Sequence, residues 1–330
     1  MKSVYRLAAL IGAIFVLCGL WLFAQPALAQ GKYPNKPVRV VVPYAAGGFP
    51  DTVARIVGQK LGDRWGQQVL IDNRPGGNGV VSAQYVMSSP ADGYTLLVTD
   101  NSLIAINPAL YPKLPYDAKK DFIAVSMMAR APLYMVLNPS IPANTLQEFI
   151  ALVKANPGKY AYGSSGIGST HHLCMESFKT TLGLDMVHVP FKGTAQSVPA
   201  TVSGDVAVTL SAGPSVLGFA KSGKLKMIAV NSLHRASLSP ELPTIAEVAI
   251  PGFNFAPTIG IYAPAGTPQE IVRQISADIA QVVKLAAVIE NMHTLGIDPV
   301  GSTPEEYTAA LKEDSERYAK VVKTANVKME

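Results

Sequence analysis

Short runs of β-branched and apolar residues recur along the chain, separated by stretches whose apolar positions fall three and four apart. The run Val38–Val42 reads as a strand. Residues 51–64 read as a helix whose inner face carries Val53, Ile56, Val57 and Leu61. Strands are expected next at 69–71 and 94–99, with a glycine-rich turn at 73–79 and a short helix to Ser88 between them. The alternation then restarts. Strands are expected at Leu133–Leu137, 160–162, 186–190, 206–210, 225–230 and 259–263, and helices at Leu146–Ala155 and 171–182. Residues 268–295 read as two helices and Pro304–Thr324 as a charged amphipathic one, each late helix opening on Thr-Pro with the threonine as N-cap.

Near-continuous apolar strands between helices point to a mostly parallel sheet covered on both faces. About ten strands suit two sheets better than one. The expectation is therefore an α/β chain of two lobes, each a mixed, mostly parallel sheet flanked by helices. The crossings are placed at 127–132 and 249–257, where Pro or Gly interrupts the pattern. This assigns 1–29 to a leader, 30–128 with 254–330 to lobe 1, and 129–253 to lobe 2.

Composition agrees with a folded chain: 330 residues, 48% apolar and 15% charged, which excludes dominant disorder. Two cysteines supply neither a disulfide framework nor a structural zinc site. Lys2 and Arg6 precede an apolar run to Ala24, and Ala27-Leu28-Ala29 follows Pro26. A basic head, an apolar stretch and an Ala-x-Ala site describe a secretory signal peptide. The competing readings are a retained membrane anchor and a lipoprotein at Cys18, for which Leu17 is a poor neighbour. Cleavage after Ala29 leaves 26 basic and 23 acidic side chains, a balance of +3. No basic run survives to bind nucleic acid. The mature chain is expected as a soluble exported protein, with Cys174 as its one thiol.

The most informative local pattern occurs twice. Residues 42–51 (Val-Pro-Tyr-Ala-Ala-Gly-Gly-Phe-Pro-Asp) and 162–171 (Tyr-Gly-Ser-Ser-Gly-Ile-Gly-Ser-Thr-His) each join a strand to a helix. Glycines let a ligand approach the backbone, and a helix N-terminus presents unpaired N–H groups that favour anions. In open α/β sheets ligands bind beyond the carboxyl ends of the strands, where both loops belong. One helix end contributes about 0.3–1 kcal/mol, whereas micromolar binding needs about 8 kcal/mol. Two loops converging in a closed cleft could supply it, so the pattern favours a clamp around a small anion.

Asp51 has two readings, as the N-cap of its helix or as a direct ligand contact. His171 and His172 point to different helix faces and so do not form a joint metal site. His171 reads as a capping or loop-facing residue, His188 as a satisfied core histidine and Cys174 as a buried small hydrophobe. No phosphate loop, nucleophile elbow or ordered G-x-G-x-x-G is present. Neither a metal nor a cofactor is expected.

Several blocks resemble those of one family: Tyr33-Pro34-Asn35-Lys36-Pro37-Val38-Arg39, the first glycine loop, Asp72-Asn73-Arg74-Pro75-Gly76 and Asp92-Gly93-Tyr94-Thr95-Leu96. Ile106-Asn107-Pro108-Ala109-Leu110-Tyr111, Leu114-Pro115-Tyr116-Asp117, Val187-His188-Val189-Pro190-Phe191-Lys192-Gly193 and Ala263-Pro264-Ala265-Gly266-Thr267-Pro268 continue them. The chain resembles the Bug family, the periplasmic solute-binding receptors of tripartite tricarboxylate transporters. The resemblance implies a two-lobed fold like a type II periplasmic binding protein, with the ligand cleft between the lobes, and a monomeric periplasmic receptor that closes on a small organic carboxylate and hands it to membrane permease subunits. It implies ligand contacts at Tyr44, Ala45, Ala46, Gly47, Gly48 and Asp51 from the first loop. Ser164, Gly166, Gly168, Ser169, Thr170 and His171 come from the second. Gly193, Thr194 and Ala195 after Lys192, with Asn101 and Ser102 after the third strand, complete the pocket. Ser211-Ala212 stand where many relatives carry Asp-Asn; Ser211 is counted in the pocket, and the missing carboxylate argues against an amino acid ligand. Two alternatives share the chain: a ligand sensor for a membrane kinase, and an exported hydrolase with Ser169 and His171 as nucleophile and base.

Overall fold

The computed structural model describes residues 33–328. The leader expected at 1–29 lies outside the described residues. The first half of the chain runs β1 (Val38–Val42), α1 (Phe49–Trp65), β2 (Val69–Asn73), α2 (Val80–Met87), β3 (Thr95–Thr99), a π-helical turn (Ser102–Ile106), α3 (Asn107–Leu110) and β4 (Phe122–Arg130). Next come β5 (Leu133–Leu137), α4 (Leu146–Ala155), β6 (Ala161–Ser164), α5 (Thr170–Leu182), β7 (Val187–Pro190), α6 (Thr194–Ser203), β8 (Val208–Ala212), α7 (Gly213–Lys221), β9 (Lys226–Val230) and α8 (Ile245–Val248). The chain then returns through β10 (Thr258–Pro264), α9 (Gln269–Val282), α10 (Ala286–Thr294), β11 (Asp298–Pro299) and α11 (Pro304–Thr324).

Two mixed sheets result, of order β2-β1-β3-β10-β4-β11 and β7-β6-β8-β5-β9. In each, a parallel trio carries the first strand at its centre: β1 between β2 and β3, and β6 between β7 and β8. An antiparallel strand then joins the trio's inner edge, β10 on β3 and β5 on β8. The central strands are buried because they carry apolar side chains on both faces; in β1, Val38, Val40, Val41 and Val42 are all buried.

Several elements differ from the sequence expectation. The crossing placed at 127–132 falls largely on β4, seven of whose nine residues pair with β10, and the chain passes between sheets at Ala131 and Pro132, inside that range. The strand expected at 206–210 runs two residues later, which puts Ser211 inside β8 opposite Tyr134. Helices α6 and α7 were not anticipated. At α11 the Thr-Pro expectation holds: Thr303 caps the helix and Glu306 completes a capping box. At α9 it does not. Thr267 instead donates its hydroxyl to the Pro264 carbonyl, and Pro268 takes the cap position.

Helix α11 bridges the two apolar regions. Tyr307 and Leu311 pack with Val41, Leu97 and Tyr262 beside the first sheet. Tyr318, Val321 and Val322 pack with Leu173, Cys174 and Phe178 of α5. Among the described residues no helix is long and apolar enough to cross a membrane.

Candidate functional site

Both glycine loops sit at the carboxyl end of a central parallel strand, β1 in the first sheet and β6 in the second. Gly47 turns the first loop with φ +85°, a conformation that side-chain-bearing residues rarely adopt. Ala45, Ala46 and Gly47 are exposed and Gly48 is half-buried. Asp51 is not the N-cap; Gly48 is, and Asp51 lies within the first turn of α1, buried. Its Oδ2 accepts from Gly47 N (2.8 Å) and Arg55 Nε (2.9 Å), while Oδ1 accepts from Asn73 Nδ2 (2.9 Å). Burial pulls against ionisation, but these hydrogen bonds prevail and hold the carboxyl below its usual range. Asn73 also donates to Tyr44 O, so β2 and α1 together fix the loop's path.

Tyr44 is half-buried, and its hydroxyl donates to Asp100 Oδ1 at 2.7 Å. Asp100 follows β3 directly and also accepts Ser102 N–H at 2.9 Å. Burial pushes the Asp100 carboxyl up. Sequence reasoning named its neighbours Asn101 and Ser102 and missed Asp100, because nothing local links it to a tyrosine 56 positions away. Asn101 is committed elsewhere. Its Oδ1 accepts Thr258 N, and its amide donates to Asp314 of α11.

The second loop is held by neutral groups. Ser169 caps α5: its hydroxyl accepts His172 N and donates to Gly166 O at 2.7 Å. Gly168 N donates to His172 Nδ1 at 3.0 Å, and Ser165 Oγ pairs with His171 Nδ1 at 2.7 Å. Ser164 Oγ bonds His188 Nε2 at 2.6 Å. The His172 and His188 rings stack with centroids 3.9 Å apart, and Tyr162 extends the stack. Burial lowers His171, His172 and His188 to about 4 each, and for His188 the neighbouring His172 adds to it. His188 is satisfied by Ser164 and by stacking on His172, but it lies half-buried on the edge strand β7 and not in the core as expected. Glu176 accepts from Tyr162 and from Lys179 Nζ (2.7 Å) at the base of the stack. Ser169 and His171 engage different partners and are not hydrogen-bonded to each other.

The turn after β7 lies against this loop. Phe191 N donates to Ser164 O, and a Cβ on Gly166 would sit 3.4 Å from the Phe191 carbonyl. Gly193 caps α6, so Gly193, Thr194 and Ala195 open a further helix beside the second loop. Thr170 Oγ1 and Ser211 Oγ are among six buried side-chain oxygens without a hydrogen-bond partner among the described residues, the others being on Thr99, Tyr134, Ser197 and Thr258.

Among the described residues no hydrogen bond joins the first loop to the second. Phe49, at the start of α1, packs against the cluster that contains Leu173 and Cys174 of α5. Cys174 is fully buried, its thiol pushed up to about 12 by burial. No group of three or more His, Cys, Asp or Glu side chains is placed to hold a metal among the described residues.

Residues 53–327 match the profile of the Tripartite tricarboxylate transporter family receptor. Protein BugT of Bordetella pertussis is 34% identical over 325 residues, covering 98% of each chain. The solved structure of R. palustris Rpa4515 with adipate superposes with a TM-score of 0.84 at 33% identity, covering 90% of this chain and 99% of that one. MatC from Rhodopseudomonas palustris with bound malate gives 0.79 at 29% identity, covering 88% of this chain and 100% of that one.

Proposed function

Because the chain belongs to the tripartite tricarboxylate transporter receptor family, we propose that it captures a small carboxylate between its two lobes in the periplasm and delivers it to a membrane permease. In this reading lobe 1 is residues 30–128 with 254–330 and lobe 2 is 129–253. The chain binds without turnover. The observation that carries it is the pair of glycine loops, each at the carboxyl end of a central strand and each opening a helix. Such junctions offer backbone N–H groups and a helix end to an anion. Adipate and malate in the two solved relatives support a carboxylate as the ligand class. Asp51 and the histidine stack hold the loops; the exposed backbone of 45–47, the Gly166–Thr170 turn, Gly193–Ala195 and Ser211 face the ligand.

A thermal-shift screen of mono-, di- and tricarboxylates, with native mass spectrometry of the purified protein, tests this. Linkage predicts about 2.7 kcal/mol of stabilisation at a hundredfold excess over Kd. A screen in which no acid raises Tm, with no co-purified acid, rejects the reading.

A further inference from the structure

The chain passes between its two sheets at two Ala-Pro steps, Ala131-Pro132 after β4 and Ala256-Pro257 before β10. Ala131 N donates to Pro257 O at 3.2 Å, so the steps lie side by side. Proline fixes its own φ and confines the residue before it to extended backbone, which leaves each step few soft torsions. The residues beyond them are tied to opposite sheets. Asn231, fully buried just after β9, accepts Leu133 N on its Oδ1 (2.7 Å) and donates its amide to Phe255 O (2.8 Å). Its own N–H donates to Leu133 O, and its carbonyl accepts Phe255 N. On the far side, Thr258 N donates to Asn101 Oδ1 (2.8 Å), just past β3. Ala256-Pro257 is therefore the span between a residue held by the second sheet and one held by the first.

One set of contacts bridges that span. Arg317 lies on α11, whose Tyr307 and Leu311 pack beside the first sheet. Its Nη1 donates to Asn254 O at 2.6 Å, and its guanidinium lies over the Phe255 ring, 5.8 Å from the centroid. Both contacts fall on the second-sheet side of Ala256-Pro257. Asp314, three residues earlier and buried, seats the guanidinium: Oδ1 accepts Arg317 Nη2 at 2.8 Å, and Oδ2 accepts the Asn101 amide. Polar bonds thus run from Thr258 through Asn101, Asp314 and Arg317 to Asn254, and the last is charge-assisted. The Arg317 side chain is 29% exposed, so water can replace the Asn254 carbonyl while Asp314 keeps its ion pair.

We propose that Arg317 is a latch across a hinge at the paired Ala-Pro steps, a positioning residue that holds the lobes at one angle and lets go when they turn. This rests on the two-lobed receptor reading above and adds a control on lobe movement that never touches the ligand. Asn231 keeps the two crossings together through the turn, and Arg317 is the contact that turning breaks.

Pulsed dipolar spectroscopy of the purified chain without added ligand tests this. Nitroxides go on Lys119→Cys in the first lobe and Lys154→Cys in the second, both exposed, in a Cys18→Ser background; Cys174 is buried and stays unlabelled. Arg317→Leu is expected to shift or widen the interlobe distance distribution by roughly half its parent width or more. Arg317→Lys, which keeps a cationic donor, stays close to the parent. Arg235→Leu is the control, since that arginine bonds Glu247 and Pro240 O within the second lobe, and it leaves the distribution unchanged. Hydrogen exchange of the same variants separates a latch from a mere support of α11. In Arg317→Leu the Ala131 and Phe255 amides exchange roughly tenfold faster while those of α11 and β1 do not. An unchanged distribution in Arg317→Leu, an equal change in Arg317→Lys or Arg235→Leu, or faster exchange along the whole of α11 would each overturn the latch. None of these involves a ligand, so they leave the carboxylate reading standing, and a failed acid screen leaves the latch standing.

Discussion

At the first glycine loop a carboxylate does the holding: Asp51 gathers Gly47 N–H, Arg55 and Asn73 within 2.9 Å. At the corresponding junction of the second sheet the same task falls to hydroxyls and imidazoles, with Ser169 on Gly166, His172 on Gly168 and His188 on Ser164. The two halves repeat a strand–loop–helix plan with different chemistry. The first loop depends on a charge that must persist; the second depends on rings that must stay uncharged. Nδ1 of His172 can accept the Gly168 N–H only while unprotonated, and two rings stacked at 3.9 Å resist taking a proton. Acid should therefore separate the loops.

The largest effect is expected at Asp51. Asp51→Ala leaves three donors without their acceptor around a buried position, costing about 3 kcal/mol in urea unfolding and loosening the ligand. A loss under about 1 kcal/mol would mean that charge is not what holds the first loop.

The acid window comes next. The three second-loop histidines have folded pKa values near 4, below the ordinary 6.5, so the unfolded chain binds more protons between those values. Their contribution is complete above about pH 6.5 and declines as pH falls towards about 4. The Asp51 contribution survives that interval, since its lowered carboxyl protonates only below the ordinary 3.8. Chemical denaturation from pH 7.5 to 4 should show this decline, and His172→Gln, which keeps a neutral acceptor, should flatten it. An unchanged slope in that variant would break the contrast.

The smallest effect belongs to the cap. Ser169→Ala removes the N-cap of α5 and the bond to Gly166, lowering stability by about 1 kcal/mol with no change in its pH profile. A changed profile would show that the cap and the histidine stack titrate together.

Much of this plan was legible in the chain. The valines of β1 and the Leu133–Leu137 run announce buried strands because nearly every position is apolar. The two glycine loops stand out because a left-handed turn needs glycine. What escaped was pairing across distance. Residues 127–132 read as a crossing because Pro132 interrupts the pattern, and only the pairing with β10 reveals that β4 runs on to Arg130. Asp100 meets Tyr44, and His172 meets His188, through tertiary approach that no local spacing encodes. Asn101 looked available for a ligand for the same reason; its bonds go to Thr258 and Asp314, more than 150 positions away.

Helix α11 has a consequence for how the molecule comes into being. Its first turns supply Tyr307 to one apolar region and its last turns supply Tyr318 to the other. A polypeptide emerging from its N-terminus can therefore finish neither interior until residues beyond 300 have appeared. A chain shortened by its final thirty residues is therefore expected to expose two unsealed interiors to proteases.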